Sequence, residues 1–284
     1  MKAFLGMGLL GSNFVRALLK QGNEVHVWNR TESKSKALEV NGARSYATPE
    51  EAVKGADSIH LTLSDDQAVE EILEKARPGF SPGVMLIDHT TTTAEGAIKR
   101  SKKWKELGYS YIHAPVFMGP QNALNSTGYM LVSGDKKLID RVEPELAKMT
   151  GKLVYLGPLP GRAAGIKLLG NLFLITLTSG ISDTLALAKA LEIPASDVGS
   201  LFEWFNPGAM APARLNNIIK DNFDSPSWEL KMARKDVRLM MEEAQRGNAA
   251  LAVIPAIARE MDRWIEKGMQ DKDWTVIAKD NLRK

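Results

Sequence analysis

FLGMGLLGSNF (residues 4–14) sets three glycines, Gly6, Gly8 and Gly11, between a short strand-like run and an amphipathic segment. Each glycine in G-x-G-x-x-G answers a physical need. The first permits a tight turn, the second lets a pyrophosphate approach the backbone, and the third lets helix and strand pack closely. Strand, glycine turn and helix start come in the order that places an anion on the free amides of a helix N-terminus. The stretch therefore predicts the opening of a βαβ unit that cradles a dinucleotide diphosphate.

Working outward, the alternation continues. KAFL, EVHVW, DSIHLTL, VMLIDHT and YSYIHAPV have strand lengths and strand-forming residues, with helical patterns between several of them. That predicts a doubly wound, mainly parallel α/β sheet with right-handed crossovers, an α/β Rossmann fold. Thr48 with Glu51, Ser64 with Gln67 and Thr92 with Glu95 read as capping boxes at helix starts. GYMLVSGD and KLVYLG add two strands. After GPLPG (157–161) the pattern changes, and helical periods fill 162–192, 195–205, 212–222, 227–246, 255–267 and 273–283. Two domains follow: a dinucleotide-binding domain over 1–160 and an all-helical domain over 161–284.

Composition narrows the partners. Across 284 residues, 37 Lys and Arg against 34 Asp and Glu leave a net charge of +3, too small and dispersed to point to nucleic acid or a membrane surface. A small-molecule substrate, including an anionic one, is compatible with it. The absence of cysteine excludes disulfides, thiolate catalysis and cysteine-ligated metals, and no metal-ligand spacing stands out. MKAFLGMGLLG mimics a signal peptide but lacks a cleavage site, and the uncharged run Leu168–Ser182 is shorter than a bilayer span. The expectation is a cytoplasmic protein.

The end of the second strand selects the cofactor. VWNRT offers Asn29, Arg30 and Thr31 where an NAD-preferring site usually carries a carboxylate for the ribose hydroxyl. A guanidinium with two hydrogen-bonding side chains suits a 2′-phosphate, so NADP is expected, with NAD possible.

Taken together, GMGLLGSNF with NRT, HAPVFMGP, GRAAGIKLLGN and RKDVRLMMEEA resemble, in order and spacing, the motifs of the β-hydroxyacid dehydrogenase family. This family, which includes 3-hydroxyisobutyrate dehydrogenase and the glyoxylate and succinic semialdehyde reductases, shares the NAD-binding domain of 6-phosphogluconate dehydrogenase. The resemblance implies an NADP-dependent oxidoreductase acting on a small hydroxyacid or alcohol and its aldehyde or keto form. It makes Lys167 the general acid/base, with Asn171 one helical turn on helping to position substrate. Gly6, Met7, Gly8, Leu9, Leu10 and Gly11 form the implied cofactor turn. Leu63, Ser64 and Thr91 line it further along, and Lys235 lies near nicotinamide and substrate. Phe117, Met118 and Gly119 occupy the substrate motif, where the family has serine and two glycines.

The departures matter. Phe117 and Met118 remove a hydroxyl donor, leaving Gln121 or Asn122 as candidate replacements. His113 replaces an aspartate, Ala163 replaces a glycine, and Gly170 stands where asparagine is frequent. His26, His60, His89 and His113 read as packed or edge residues rather than catalysts. Two other functions remain open on the sequence: an imine reductase-like enzyme, against which Lys167 argues, and a non-catalytic NADP-binding or sensing protein. The resemblance further implies that a long interdomain helix, about 162–192, joins the two domains and that the helical part over 161–284 is a substrate and dimerisation domain, giving a homodimer, or a homotetramer.

Overall fold

In β1 (Lys2–Leu5) the side chains alternate, Phe4 into one core cluster and Ala3 with Leu5 into another across the sheet. The computed structural model describes residues 1–282. From β1 the chain runs through α1 (Leu9–Lys20), β2 (Val25–Trp28), α2 (Glu32–Lys36), β3 (Arg44–Ser45), α3 (Pro49–Val53) and β4 (Ser58–Leu61). It continues through α4 (Asp66–Ala76), β5 (Met85–Asp88), α5 (Ala94–Glu106) and β6 (Ser110–His113). These strands form one six-stranded sheet of order β3-β2-β1-β4-β5-β6, every pair parallel. The order reverses beside β1, so a crevice opens at the carboxyl ends of β1 and β4, where open α/β sheets bind ligands.

The sheet predicted from sequence lacked one strand and gained others. β3 has only two residues and too little pattern to register. After β6, Pro115 cannot donate to a ladder. The chain leaves the sheet and builds a second one from β7 (Val116–Phe117), β8 (Tyr129–Val132) and β9 (Lys152–Tyr155), with β7 antiparallel to β8. Between these strands lie α6 (Pro120–Asn125) and α7 (Lys136–Leu146). Val116, Met130 and Val132 bury their side chains in the same cluster as Phe4, so the small sheet extends one core of the large one.

The helix starts show how finely caps are specified. Thr48 forms the expected capping box with Glu51. The other two are displaced by one residue: Asp65, not Ser64, accepts from Ala68 N, and Thr93, not Thr92, accepts from Gly96 N. A carboxylate is the stronger acceptor at the first site. At the second, Thr92 is buried with its hydroxyl 3.2 Å from His113 Nε2 and is not free to cap.

Gly161, at φ +81°, leads into α8 (Arg162–Ala190), and an added Cβ there would fall 2.7 Å from Ala94 O. Compact packing divides the chain inside α8, into Met1–Leu172 and Phe173–Lys284. Lys167 and Asn171 therefore belong with the dinucleotide-binding unit, although strands already cease before α8. The second unit contains the rest of α8, then α9 (Ala195–Trp204), α10 (Ala211–Ile219), α11 (Leu230–Arg246) and α12 (Ile254–Glu266). Its core gathers Phe223, Leu230, Val237, Met261, Trp264 and Val276. Asp183 pins α8 to the start of α12 by accepting from the amides of Ala252, Val253 and Ile254 at 2.7–3.0 Å. Burial pushes its carboxyl up, but those amides outweigh it and hold it below the usual range. The segment predicted as a helix over 273–283 is a 3-10 helix over Trp274–Leu282, and its final residue lies outside the described residues.

Among the described residues α8 is the one helix long and apolar enough to cross a membrane, with a mean hydropathy of 1.5 over its best window and 11% of that window buried. Counting only the uncharged run missed this, because such a window tolerates a charge.

Candidate active site

The glycine turn sits at the carboxyl end of β1. Gly6 adopts φ +103°, and a Cβ there would lie 2.2 Å from Thr62 O. At Gly11 it would lie 2.0 Å from Gly6 O and 2.3 Å from Thr62 Oγ1, so any larger residue would break the turn. Thr62, unnoticed in the sequence, locks this arrangement by donating to Gly6 O at 2.7 Å. At Gly8 nothing lies within 4 Å of an added Cβ. Two glycines thus hold the backbone tight while the middle one leaves open space at the start of α1. Leu9 is 79% exposed beside it, and no acidic side chain occupies the first turn. This combination fits a dinucleotide diphosphate.

Met7 contributes through its backbone. Its side chain is in the core, and its amide donates to Asn29 Oδ1 at 2.8 Å while Asn29 Nδ2 donates to Thr31 O. Asn29 therefore ties the glycine turn to the end of β2. Arg30 and Thr31 remain exposed there, and Arg30 forms no ion pair among the described residues. On the other side of the crevice, Leu63 N donates to Thr90 Oγ1 at 2.9 Å, which joins the loops after β4 and β5. Ser64 and Thr91 are exposed on those loops.

In the substrate segment, Lys167 Nζ lies 4.5 Å from the centroid of the Phe117 ring. Lys167 is half-buried and makes no ion pair among the described residues. Burial lowers its pKa below the ordinary lysine value, while the ring face, which favours a cation, works in the other direction. Asn171 lies one turn beyond on the same helical face. Gly170, between them, is where Phe117 packs: an added Cβ would fall 2.3 Å from its Cζ. Met118 packs its side chain against the core. Gly119 N donates to Asn122 Oδ1 at 2.9 Å, and Asn122 Nδ2 donates one of its two hydrogens to Thr127 Oγ1, so the Gly119 amide is already used, while the second Nδ2 hydrogen of Asn122 and the exposed Gln121 remain as replacement donors. Lys235, on α11 in the second unit, is half-exposed and pairs with Asp236 at 2.7 Å.

Beneath the crevice lie groups that sequence reading treated as simple packing. His60 Nε2 meets Glu145 Oε1 at 2.7 Å, His60 Nδ1 meets His89 Nε2 at 3.0 Å, and His89 Nδ1 meets Ala114 O at 2.9 Å. Lys2 and Ser58 also contact Glu145. Burial raises the Glu145 carboxyl, but His60 and Lys2 together hold it far below the usual range. Burial, then the neighbouring His60, depresses His89 to about 3. A second network joins Arg100 to Tyr111 and Asp66, and Tyr111 to Asp88. His113 is buried, its pKa lowered by burial, and Nε2 lies 2.8 Å from Thr90 O, so it supports the loop.

Residues 2–157, more than half of the chain, match the family described as the NAD binding domain of 6-phosphogluconate dehydrogenase. The chain belongs to this family. As a member it is an NAD(P)-dependent oxidoreductase, as the sequence resemblance implied. This 6-phosphogluconate dehydrogenase-like chain is similar to glyoxylate/succinic semialdehyde reductase 2, chloroplastic, of Arabidopsis thaliana. The two are 29% identical over 282 residues, covering 96% of this chain and 77% of that one. It is also similar to the cytokine-like nuclear factor N-PAC of Homo sapiens, 30% identical over 243 residues, covering 83% of this chain and 43% of that protein. Among solved structures, an imine reductase from Myxococcus stipitatus in complex with NADP+ superposes with a TM-score of 0.91 at 19% identity, covering 98% of each chain. At that identity the likeness speaks for the fold.

Proposed function

We propose that this chain is an NADP-dependent oxidoreductase interconverting a small hydroxyacid or alcohol with its aldehyde or keto form, with Lys167 as general acid/base. The observation that carries the reading is Lys167 itself: a half-buried lysine without an ion pair, its pKa lowered by burial, one helical turn from Asn171. Burial costs a structural lysine at that position, with the Phe117 ring face as its compensation, whereas an acid/base needs a pKa closer to the working pH.

Gly6, Gly8 and Gly11 would hold the diphosphate, and Arg30 with Thr31 the 2′-phosphate. A bound nicotinamide supplies or accepts the hydride. Lys167, as ammonium, places a proton on the carbonyl oxygen during reduction. In oxidation, the neutral amine removes it from the hydroxyl. Asn171 orients the oxygen toward Nζ, and Leu63, Ser64 and Thr91 shape the loops around the site.

Lys167→Ala tests this. General acid/base catalysis contributes about 10²- to 10⁴-fold, so turnover should fall by that order while NADPH affinity, read by fluorescence titration, stays the same. Substrates for the assay should include short aldehydes, keto acids and cyclic imines. Full turnover in the variant sinks the acid/base role. Turnover of imines alone would favour an imine reductase-like enzyme, and tight NADPH binding without turnover a sensing protein.

We also propose a cytoplasmic homodimer, with a homotetramer as the alternative. The second unit leaves Phe173, Leu177, Phe202, Trp204 and Leu215 exposed, and 76% of Trp204 meets solvent in the single chain. A second copy covering that face would bury it. Sedimentation at micromolar concentration decides between monomer and oligomer.

A further inference from the structure

We propose that Phe117 is a specificity-determining residue that excludes carboxylate-bearing substrates, so that the site takes neutral aldehydes or ketones with an apolar substituent. This rests on the oxidoreductase reading above and narrows it to one of its two substrate arms.

A site that holds a substrate carboxylate must offer donors at the substrate segment. Here the hydroxyl at 117 is absent and the backbone amide at 119 is already used. Position 117 carries a ring and no hydroxyl. The Gly119 amide is occupied by Asn122 Oδ1, and one of the two Asn122 Nδ2 hydrogens by Thr127 Oγ1. The side chain at 118 is a methionine that packs into the core. A carboxylate entering beside the Phe117 ring would lose its hydration and find neither a hydroxyl at 117 nor a free backbone amide at 119 to replace it.

The remaining cation makes the exclusion sharper. Lys167 Nζ sits 4.5 Å from the Phe117 centroid, so the ring face covers one side of the ammonium. A carboxylate that displaced the ring would pair with Lys167 directly and occupy the proton that the carbonyl oxygen needs. An uncharged carbonyl compound makes no such pairing. Its oxygen can approach Nζ while its apolar part lies against the ring, which is already fixed by close packing on Gly170. The lack of a side chain at 170 is what allows the ring to lie there.

The test compares isobutyramide with isobutyrate, nearly matched in shape and differing in charge, by calorimetric titration into the NADPH-loaded enzyme. The wild type should bind the amide more tightly. Phe117→Ser should shift the ratio toward the carboxylate by about 10- to 100-fold, the scale of one or two charge-assisted hydrogen bonds. In parallel, the wild type should reduce butanal faster than glyoxylate, and the variant should narrow that gap. Equal or tighter binding of isobutyrate by the wild type overturns the proposal, and needs no variant to fold. A ratio unchanged in a folded Phe117→Ser protein overturns it as well. Absence of NADPH oxidation with every compound would defeat the oxidoreductase reading, while the affinity ratio would still decide the role of Phe117.

Discussion

His89 gives the dinucleotide-binding unit a defined sensitivity to acid. The imidazole is buried between His60 Nδ1 and Ala114 O, and its pKa is depressed to about 3, chiefly by burial and next by His60. In the unfolded chain a histidine titrates near 6.5. Between these values the unfolded state binds a proton that the folded state refuses, so stability is complete above about 6.5 and falls as pH drops through the window. Each pH unit costs about 1.4 kcal/mol, which makes the loss from pH 6.5 to pH 5 roughly 2 kcal/mol from this one group. His89→Gln keeps an acceptor for His60 and a donor for Ala114 O but cannot titrate. Urea unfolding should be measured for both proteins at several pH values from 7 to 5, with hydrogen exchange of β4 and β5 amides reporting on the unit directly. The variant's stability should fall more gently than the wild type's, by about 1.4 kcal/mol per pH unit in the lower half of the range. His60, Glu145 and His113 stay in place in both proteins, so the difference in slope reports the loss of the His89 imidazole together with its coupling to them. Parallel slopes would refute the reasoning, whatever the change in absolute stability.

Two further expectations concern the site. Arg30→Ala should raise the dissociation constant for NADPH about 10- to 100-fold, from loss of a charged contact to the 2′-phosphate, and leave NADH affinity nearly unchanged in the same fluorescence titration. Gly170→Ala places a methyl where the Phe117 ring now lies, 2.3 Å from Cζ, and should cost about 1–3 kcal/mol in chemical denaturation. Adding Phe117→Ala should relieve part of that cost, with a coupling of at least about 0.5 kcal/mol.

What was legible in the sequence had strong periodicity or an obligatory residue. β1, the three glycines and the succession of parallel strands were readable because pattern and turn chemistry agree there. The helices of the second unit were bounded well by Pro194, Pro207 and Gly247. The shifted caps at Asp65 and Thr93 show the limit of a local rule: two adjacent residues could cap, and burial of Thr92 by His113 decided one of them. The second sheet was hidden because strand content does not reveal which edge a strand joins. The Glu145, His60 and His89 chain was hidden for a related reason. Its members are separated by |i−j| values of 29 and 85, and only the fold brings them together. At the site, Lys167 and the glycine turn were evident, but the commitment of Gly119 and Asn122 to each other was not.

Phe117 and Gly170 entered the sequence reading as two unrelated irregularities, one in the substrate segment and one in α8. Because the ring fills the space a Cβ would need, they are a single character with two loci. A lineage could acquire the aromatic only after, or together with, the loss of the side chain on the helix. Returning a serine to 117 would free 170 to vary. Across relatives, an aromatic residue at the first position should therefore be accompanied by glycine at the second, and a serine there by asparagine or another side chain. That pairing offers a way to sort uncharacterised members of this family by the charge of what they reduce.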